Sequence, residues 1–467
     1  MGLGPMNMTA PPEVFRRRRA RLASSLGRPM VIFAGQSRAR AYATNSYPFR
    51  ASSTYIYFGG PPVEGACWLI EPGSEGDAGS ALFRPPATLD DAVWLGETYS
   101  DDALAASAGV RVSGVMGVDE LKSKIKGREW AAIIPPCPLT AAWARDLACN
   151  VPSPDELLAI VDMRLIKDEH ELTAMRRAAK ISVDAQRAAM AAAGPGNSEA
   201  DVLAALYGVY LSNRAEASFT PIVTIHGEVL HGGGYHNTMA AGDLLLVDAG
   251  AEEPGGYTSD ITRTYPVNGQ FTETQRSLYE TVLRAQRSAI AACVPGARYR
   301  DVHDLAARVI CEGLVELGVL KGDPVALAAR FAHTLFFAHG LGHLIGLDVH
   351  DMEEFGDLAG YAKGRMRRPE FGNKFLRLDR DLEPGMTLTI EPGVYLVPAI
   401  WGHEALVAPF ADCVNRPAVE ALLKGRIGGI RIEDTIHVRG GDAGPEVLTA
   451  ALPTEADEVV VSSVGAD

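Results

Sequence analysis

Short apolar runs, separated by polar or glycine- and proline-containing stretches, characterise the first third of the chain. They alternate with helix candidates, and this mixed pattern predicts a small α/β domain over residues 1–153. Prolines at 152 and 154 predict the domain boundary. A helix is predicted after Pro12, with the arginines at 16–19 and 21 on a solvated face rather than in a nucleic-acid patch or a transit peptide. The predicted strands are 30–34, 54–58, 66–70, 81–84 and 131–134, and a second helix is predicted at 118–126.

Helical spacing replaces this pattern after residue 154. Apolar residues at i, i+3 and i+4 predict a helix over 155–193, which the Gly-Pro-Gly segment 194–196 ends. Strand-like runs then return between helical segments, so helices and antiparallel hairpins interleave. We therefore predict an α+β domain over residues 154–467. Its further predicted helices are 273–294, 301–317 and 324–338, and its predicted strands are 219–225, 387–396 and 429–438.

One predicted hairpin, residues 243–268, carries candidate chemistry. An apolar run at 244–247 is followed by turn signals at 253–256, and a second strand-like segment resumes at residue 257. Asp248 and Asp260 then lie near facing positions on the two arms. Two carboxylates at the end of an apolar strand cost several kcal/mol unless a positive charge neutralises them. A metal ion would do so; the alternative is that one Asp caps the turn and the other is solvated.

Three further residues extend this candidate set. His343 follows a glycine-rich turn, and Glu391 and Glu433 each directly follow an apolar run. One glutamate so placed is more often half of an ion pair than a ligand, but together with the two aspartates the set favours a shared metal site. Four carboxylates and one imidazole suit two divalent cations, Mn²⁺ before Co²⁺, Fe²⁺ or Zn²⁺, and argue against a closed structural zinc site. Such a centre predicts metal-assisted hydrolysis.

Composition narrows the class of protein. The hydrophobic share of 47% and charged share of 22% are typical of a soluble globular protein of 467 residues, and a net charge of −14 argues against a nucleic-acid partner. Six scattered cysteines without C-x-x-C spacing, and an N-terminus without an apolar signal segment, predict reduced thiols in the cytoplasm. No run approaches the ~20 apolar residues of a membrane span.

Five motifs carry a resemblance to a known family: VDAG, SDITRTYP, HGLGHLIGLDVHD, TIEPGVY and GGIRIED. Together they resemble the pita-bread metallopeptidases, in the proline-specific branch that contains aminopeptidase P and prolidase. The resemblance implies a pita-bread (creatinase/aminopeptidase-like) catalytic domain behind an aminopeptidase P-like N-terminal domain, and a homodimer. It also implies that Asp260 and Glu433 bridge two metals, that Asp248 completes one site, and that His343 with Glu391 completes the other.

The same resemblance assigns roles around the metals. His231 matches a histidine over the scissile bond, and His350 matches one that steadies the substrate carbonyl and the tetrahedral intermediate. Glu391 matches the group that shuttles a proton from the attacking water to the leaving nitrogen. Arg431 is expected to brace the ligand shell. A neutral or protonated imidazole beside a developing oxyanion has an electrostatic rationale of its own.

Arg377 bears on substrate length. Its spacing from Glu391 resembles that of the prolidase arginine that clamps the substrate's C-terminal carboxylate, for which a guanidinium is well suited. The alternative is a surface ion pair with Asp379 or Asp381. The expected activity is hydrolysis of N-terminal Xaa-Pro bonds in small peptides, dipeptides included. Strict Xaa-Pro dipeptidase activity is the alternative, and methionine aminopeptidase activity, a creatinase-type hydrolase or a non-enzymatic binding module are the rivals.

Two departures from the family pattern concern the pocket. The spacing from Asp248 to Asp260 is one residue longer than usual, with the Gly255-Gly256 pair where the extra residue would lie. If the extra residue fell inside a strand, one carboxylate would turn to the other face of the sheet. The insertion at 352–381 and the segment 398–426 leave the mouth of the pocket undefined by sequence.

Overall fold

The computed structural model of the protein describes residues 6–42, 44–73, 79–94, 96, 98–441 and 443–463. The chain divides into two units, Met1–Arg164 and Leu165–Asp467. The helix Pro154–Arg164, which the predicted boundary at 153 assigned to the catalytic domain, therefore lies in the first unit. Its C-terminal end is held there, because Arg164 Nη1 donates to Thr54 Oγ1 (2.9 Å) and Tyr57 Oη donates to the Met163 carbonyl (2.8 Å).

The first unit is built on one five-stranded mixed sheet. The strands are β1 (Met30–Phe33), β2 (Cys67–Ile70), β3 (Ser80–Arg84), β4 (Val115–Gly117) and β5 (Ala131–Ile133). Strands β1 to β3 are antiparallel neighbours, while β4 runs parallel to β3 and β5 runs parallel to β1, giving the order β4-β3-β2-β1-β5. Buried side chains from four of these strands and from the helices packed on them form its core. The helices are α1 (Pro12–Ser25), α2 (Ser53–Tyr57), α3 (Leu89–Trp94), α4 (Asp101–Ala108), α5 (Val118–Ile125), α6 (Pro138–Asp146) and α7 (Pro154–Arg164), with a 3₁₀ turn at Val112–Gly114.

Two predictions for this unit are wrong. Residues 54–58, predicted as a strand from their β-branched and aromatic content, form the short helix α2, whose side chains are mostly buried. On helix α1, Arg18 and Arg19 are buried rather than solvated. Arg19 stays charged inside the unit because its guanidinium donates to the carbonyls of Phe58 (2.7 Å) and Ala108 (2.8 Å).

The second unit combines long helices with short strands. Its strands are β6 (Glu216–Ala217), β7 (Ile222–Thr224), β8 (Leu244–Asp248), β9 (Ala251–Glu252), β10 (Thr262–Pro266), β11 (Thr387–Ile390), β12 (Gly393–Tyr395), β13 (Gly429–Arg431), β14 (Asp434–His437) and β15 (Glu446–Val447). Among the described residues, these strands form four small antiparallel sheets, ordered β10-β8-β7, β11-β14-β15, β12-β13 and β6-β9. Its helices are α8 (Glu169–Ala192), α9 (Glu199–Ser212), α10 (Glu273–Ala292), α11 (Tyr299–Glu316), α12 (Pro324–Ala329), α13 (Asp357–Gly360), α14 (Pro398–Trp401), α15 (Glu404–Val407), α16 (Arg416–Lys424) and α17 (Ala456–Ser463). Short 3₁₀ turns occur at Ala332–Leu335, Glu353–Phe355, Asn373–Phe375 and Ala408–Phe410.

The helices of this unit begin and end on local signals. The predicted helix 155–193 is divided, because the Asp168 side chain caps a new helix by accepting from the backbone N–H groups of His170 and Glu171. The predicted helix 324–338 ends at Ala329, and Phe331 two residues later adopts a left-handed backbone (φ 65°).

Each of the two predicted C-terminal strands is broken at a glutamate. Residues 387–396 form β11 and β12, with Glu391 between them, and residues 429–438 form β13 and β14, with Glu433 between them. The halves pair crosswise, β11 with β14 and β12 with β13, in two different sheets. Each chain segment passes from one sheet to the other at its glutamate, and this crossing places Glu391 and Glu433 at the same point of the fold.

The two arms of the predicted hairpin form, but the second arm begins at Thr262 rather than at the predicted Tyr257. Strands β8 and β10 pair without interruption from Leu244 opposite Pro266 to Asp248 opposite Thr262. The register of the strands is therefore kept, and Asp260 lies two residues before β10. Gly250 opens the turn at a point where a Cβ would lie 1.8 Å from the Ser259 carbonyl oxygen, so the two arms approach too closely for any other residue.

Candidate metal centre

Five predicted ligands come from five separate places in the second unit. Asp248 ends β8, Asp260 precedes β10, and Glu391 and Glu433 lie at the two strand breaks. His343 lies in the irregular segment between α12 and β11. All nine residues that the sequence singled out line one cavity of ≈670 Å³: His231, Asp248, Asp260, His343, His350, Arg377, Glu391, Arg431 and Glu433.

The ligand atoms converge at spacings that suit a shared cation. One ligand atom from each of Asp260, His343 and Glu433 lies within 4.8 Å of the others. His343 Nε2 is 3.5 Å from Asp260 Oδ2 and 3.7 Å from Glu391 Oε1, too far for direct hydrogen bonds. Ligand atoms that each lie about 2.0–2.2 Å from one ion are separated by such distances.

Buried carboxylate oxygens without a hydrogen-bond partner provide an independent test of whether these residues could hold metal ions. Asp248 Oδ1, Asp260 Oδ1 and Glu433 Oε1 are buried, and no hydrogen-bond donor among the described residues reaches them. A buried carboxylate oxygen without a partner costs several kcal/mol. The donor set therefore fits divalent cations, which would satisfy all three oxygens.

Burial, and after it the crowding of like charges, shifts the pKa values of the predicted ligands. Burial raises the pKa of Asp260 and of Glu433 well above their ordinary values, and the neighbouring carboxylates raise both further. Burial also raises the pKa of Glu391 to about 8. For His343, burial lowers the pKa to about 4, so its imidazole is neutral. Its Nδ1–H donates to the Leu344 carbonyl (3.0 Å), and this tautomer leaves the Nε2 lone pair facing the carboxylates.

Arg431 connects several members of the centre. Its Nη2 donates to Asp248 Oδ2 (2.6 Å), its Nη1 to Tyr395 Oη (2.8 Å) and its Nε to Thr262 Oγ1 (3.2 Å). Thr262 Oγ1 in turn donates to Glu433 Oε2 (2.7 Å). One buried guanidinium thus holds a carboxylate directly and orients a second one through a hydroxyl.

Two other cavity residues are joined by an acid that the sequence did not single out. The His350 ring lies 4.0 Å from the His343 ring, centroid to centroid, and His350 Nδ1 donates to Glu353 Oε2 (3.0 Å). Arg377 Nη1 donates to both oxygens of Glu353 (2.6 and 2.9 Å). Burial alone would raise the pKa of Glu353, but the hydrogen bond from His350 and the charge of Arg377 bring it to about 2.

The suggested pairing of Arg377 with Asp379 or Asp381 is not what the structure shows. Asp379 is fully buried between Arg298 (2.7 Å) and Arg300 (2.7 Å), and Asp381 is bound by a third arginine, at position 365. Arg377 pairs with Glu353 instead and lines the cavity.

His339 and Tyr395 are cavity neighbours for which sequence reasoning had no role. His339 Nε2 and Tyr395 Oη are hydrogen-bonded (2.9 Å), and His339 Nδ1 lies 3.7 Å from Glu391 Oε2. His339 could have been identified from the sequence, because it lies four residues before His343 in the HGLGH motif. Tyr395 lies in an apolar strand, where nothing in the sequence distinguishes it from a core residue.

Comparison with known proteins decides the family. The sequence profile of metallopeptidase family M24 matches residues 173–440, more than half of the chain. This chain belongs to metallopeptidase family M24. In this M24 peptidase, a second profile, that of the aminopeptidase P N-terminal domain, matches residues 15–129.

Relatives of this M24 peptidase cover its full length. It is 30% identical to human Xaa-Pro dipeptidase over 100% of this chain and 96% of the relative, and 31% identical to Escherichia coli Xaa-Pro aminopeptidase over 97% and 98%. Among solved structures, Pseudomonas aeruginosa aminopeptidase PepP matches with a TM-score of 0.79, 28% identity and 98% coverage of both chains. Zinc-substituted E. coli aminopeptidase P in complex with product matches with a TM-score of 0.78, 29% identity and 97% and 98% coverage. The predicted two-domain fold with a pita-bread catalytic domain is confirmed.

Among the described residues of this M24 peptidase, no helix has both the length and the apolar content needed to cross a membrane.

Proposed function

We propose that this M24 peptidase is a metal-dependent exopeptidase that hydrolyses the bond between an N-terminal residue and proline. The observation that carries the proposal is the convergence of five ligand side chains in one cavity, three of them with a buried, unpaired carboxylate oxygen. The named activities of the full-length relatives, Xaa-Pro aminopeptidase and Xaa-Pro dipeptidase, supply the proline requirement.

Asp260 and Glu433 would be ligands of both metals, Asp248 of one, and His343 with Glu391 of the other. Two divalent cations held there, with Mn²⁺ as the proposed metal, would supply a hydroxide nucleophile at neutral pH and Lewis-acid polarisation of the scissile carbonyl. Oxygen-rich ligation without thiolates supports Mn²⁺, although zinc occupies the similar E. coli enzyme in one solved structure.

The remaining roles belong to the protein's own groups. Glu391 would take a proton from the attacking water and deliver it to the proline nitrogen, as general acid–base catalysis by a carboxylate requires. His231, over the scissile bond, and His350, at the substrate carbonyl, would orient that carbonyl for attack and stabilise its developing negative charge. Arg431 would keep Asp248 in position through its 2.6 Å hydrogen bond.

The metal centre is tested by the substitution His343→Ala. We expect the variant to fold and to lose more than about 100-fold in kcat/KM on Ala-Pro-Ala with added Mn²⁺, because the imidazole is a direct ligand. Metal content by mass spectrometry should fall in parallel. Unchanged turnover in His343→Ala would refute the site assignment.

Substrate length separates aminopeptidase from strict dipeptidase activity. The experiment compares Ala-Pro, Ala-Pro-Ala and a longer Xaa-Pro peptide, and cleavage of Ala-Pro alone would establish the dipeptidase alternative. Arg377→Ala should lower kcat/KM about fivefold more on Ala-Pro than on Ala-Pro-Ala, as expected for a half-exposed charge pair. Cleavage of Met-Ala-Ser but not of Ala-Pro would instead support methionine aminopeptidase activity.

The proposal includes a cytoplasmic location and a homodimer. All six cysteines are free thiols, as expected for a reducing compartment. The dimer rests on the family resemblance, and light scattering on the purified protein measures it directly.

A further inference from the structure

Glu353 joins two residues of the catalytic cavity without lining that cavity itself. Its carboxylate accepts two hydrogen bonds from Arg377 Nη1 and one from His350 Nδ1. It lines a smaller cavity of ≈120 Å³ instead, and Arg377 lines both. Glu353 therefore contacts Arg377 from the smaller cavity, while the guanidinium also faces the space beside the metal ligands.

The charge of Arg377 is thus already balanced before a substrate arrives. Both contacts with Glu353 use Nη1, and no described residue accepts a hydrogen bond from Nη2 or Nε of Arg377. These two groups can still donate to a substrate. An incoming carboxylate meets an ion pair with no net charge, whereas an incoming peptide carbonyl needs only a hydrogen-bond donor.

We propose that Glu353 is a specificity-determining residue that acts through Arg377: it lowers the attraction of the site for the C-terminal carboxylate of a dipeptide, so that longer Xaa-Pro peptides compete well. The inference rests on the proposed Xaa-Pro hydrolase function. It also assigns a role to the insertion at 352–381, which supplies both members of the pair.

A purely structural role for Glu353 predicts a different result. If Glu353 only held Arg377 and His350 in place, removing its charge would weaken the binding of every substrate alike. If the charge of Glu353 instead opposes the C-terminal carboxylate of the substrate, removing that charge would strengthen the binding of substrates that have a free C-terminal carboxylate. Glu353 and Arg377 are each 40% exposed, so solvent screening limits the effect to about fivefold, or about 1 kcal/mol.

The test uses Glu353→Gln with two substrates that differ only in the C-terminal charge, Ala-Pro and Ala-Pro amide. Glutamine keeps the size of the side chain and one oxygen to accept from Arg377. We expect the ratio of kcat/KM for Ala-Pro to that for Ala-Pro amide to rise about fivefold, mainly through a lower KM for Ala-Pro. The rise should disappear in an Arg377→Ala background, because Glu353 acts through that guanidinium.

The matched control is Glu354→Gln, which removes the same charge from the next residue of the same turn. Glu354 lines neither cavity, and the ratio should not change. An unchanged or lowered ratio in Glu353→Gln, or an equal rise in Glu354→Gln, would overturn the inference while the hydrolase function stands. If the wild-type enzyme with Mn²⁺ cleaves neither peptide nor Ala-Pro-Ala, the proposed function fails and the role of Glu353 fails with it.

Discussion

Metal binding to this enzyme should release protons, because the metal-free centre holds its carboxylates in a partly protonated state. Burial raises the pKa of Glu391 to about 8, and burial with like-charge crowding raises the pKa of Asp260 and Glu433. Divalent cations bind ionised carboxylates, so adding Mn²⁺ to chelator-treated protein at pH 7 should release the protons that these carboxyls hold.

The magnitude follows from these pKa shifts. A group with a pKa of about 8 is roughly nine-tenths protonated at pH 7, so Glu391 alone contributes about 0.9 proton. The raised pKa values of Asp260 and Glu433 act in the same direction. We therefore expect a release of at least about 0.9 proton per protein molecule at pH 7. At pH 9, where Glu391 is already ionised, its contribution should fall to about 0.1.

Isothermal titration calorimetry in buffers of different ionisation enthalpy measures the number of protons released. The same titration at pH 9 is the internal control and should show a smaller release. Less than half a proton at pH 7, or no decrease at pH 9, would refute the argument that burial and crowding keep these carboxylates protonated without metal.

Three further predictions concern stability. Arg263→Met should cost about 3–5 kcal/mol in denaturant unfolding, because it breaks a buried ion pair with Asp434 (2.9 Å), whereas Arg276→Met at an exposed pair should cost less than about 1 kcal/mol. Gly342→Ala should lower both melting temperature and activity, because a Cβ there would lie 2.0 Å from a backbone carbonyl oxygen; Gly208→Ala, in an open helical position, should stabilise by about 0.5–1 kcal/mol. Without metal, the raised pKa of Glu391 should lower stability by a few kcal/mol as pH rises from about 4.5 through about 8, and melting curves with and without Mn²⁺ should diverge over that window.

Local patterns sufficed to select the candidate ligands but not to place every element. Asp248 could be identified because an acid directly after an apolar strand needs a partner, and the hairpin that carries it depends only on nearby turn residues. Residues 54–58 were mispredicted because threonine, tyrosine and isoleucine favour strands, and here packing outweighs that preference. The strand break at Glu391 was missed although Pro392 and Gly393 directly follow it, whereas the break at Glu433 has no proline or glycine beside it.

The sequence by itself determined which side chains are candidates for the chemistry, since carboxylates and imidazoles at the ends of apolar runs are costly without a counter-charge. Only the tertiary structure decided how they meet. Arg431 reaches Asp248 across 183 positions of the chain, and Arg377 pairs with Glu353 rather than with its near neighbours. Such contacts depend on how distant strands and an aperiodic insertion pack together, and packing partners are chosen by the whole fold rather than by local spacing.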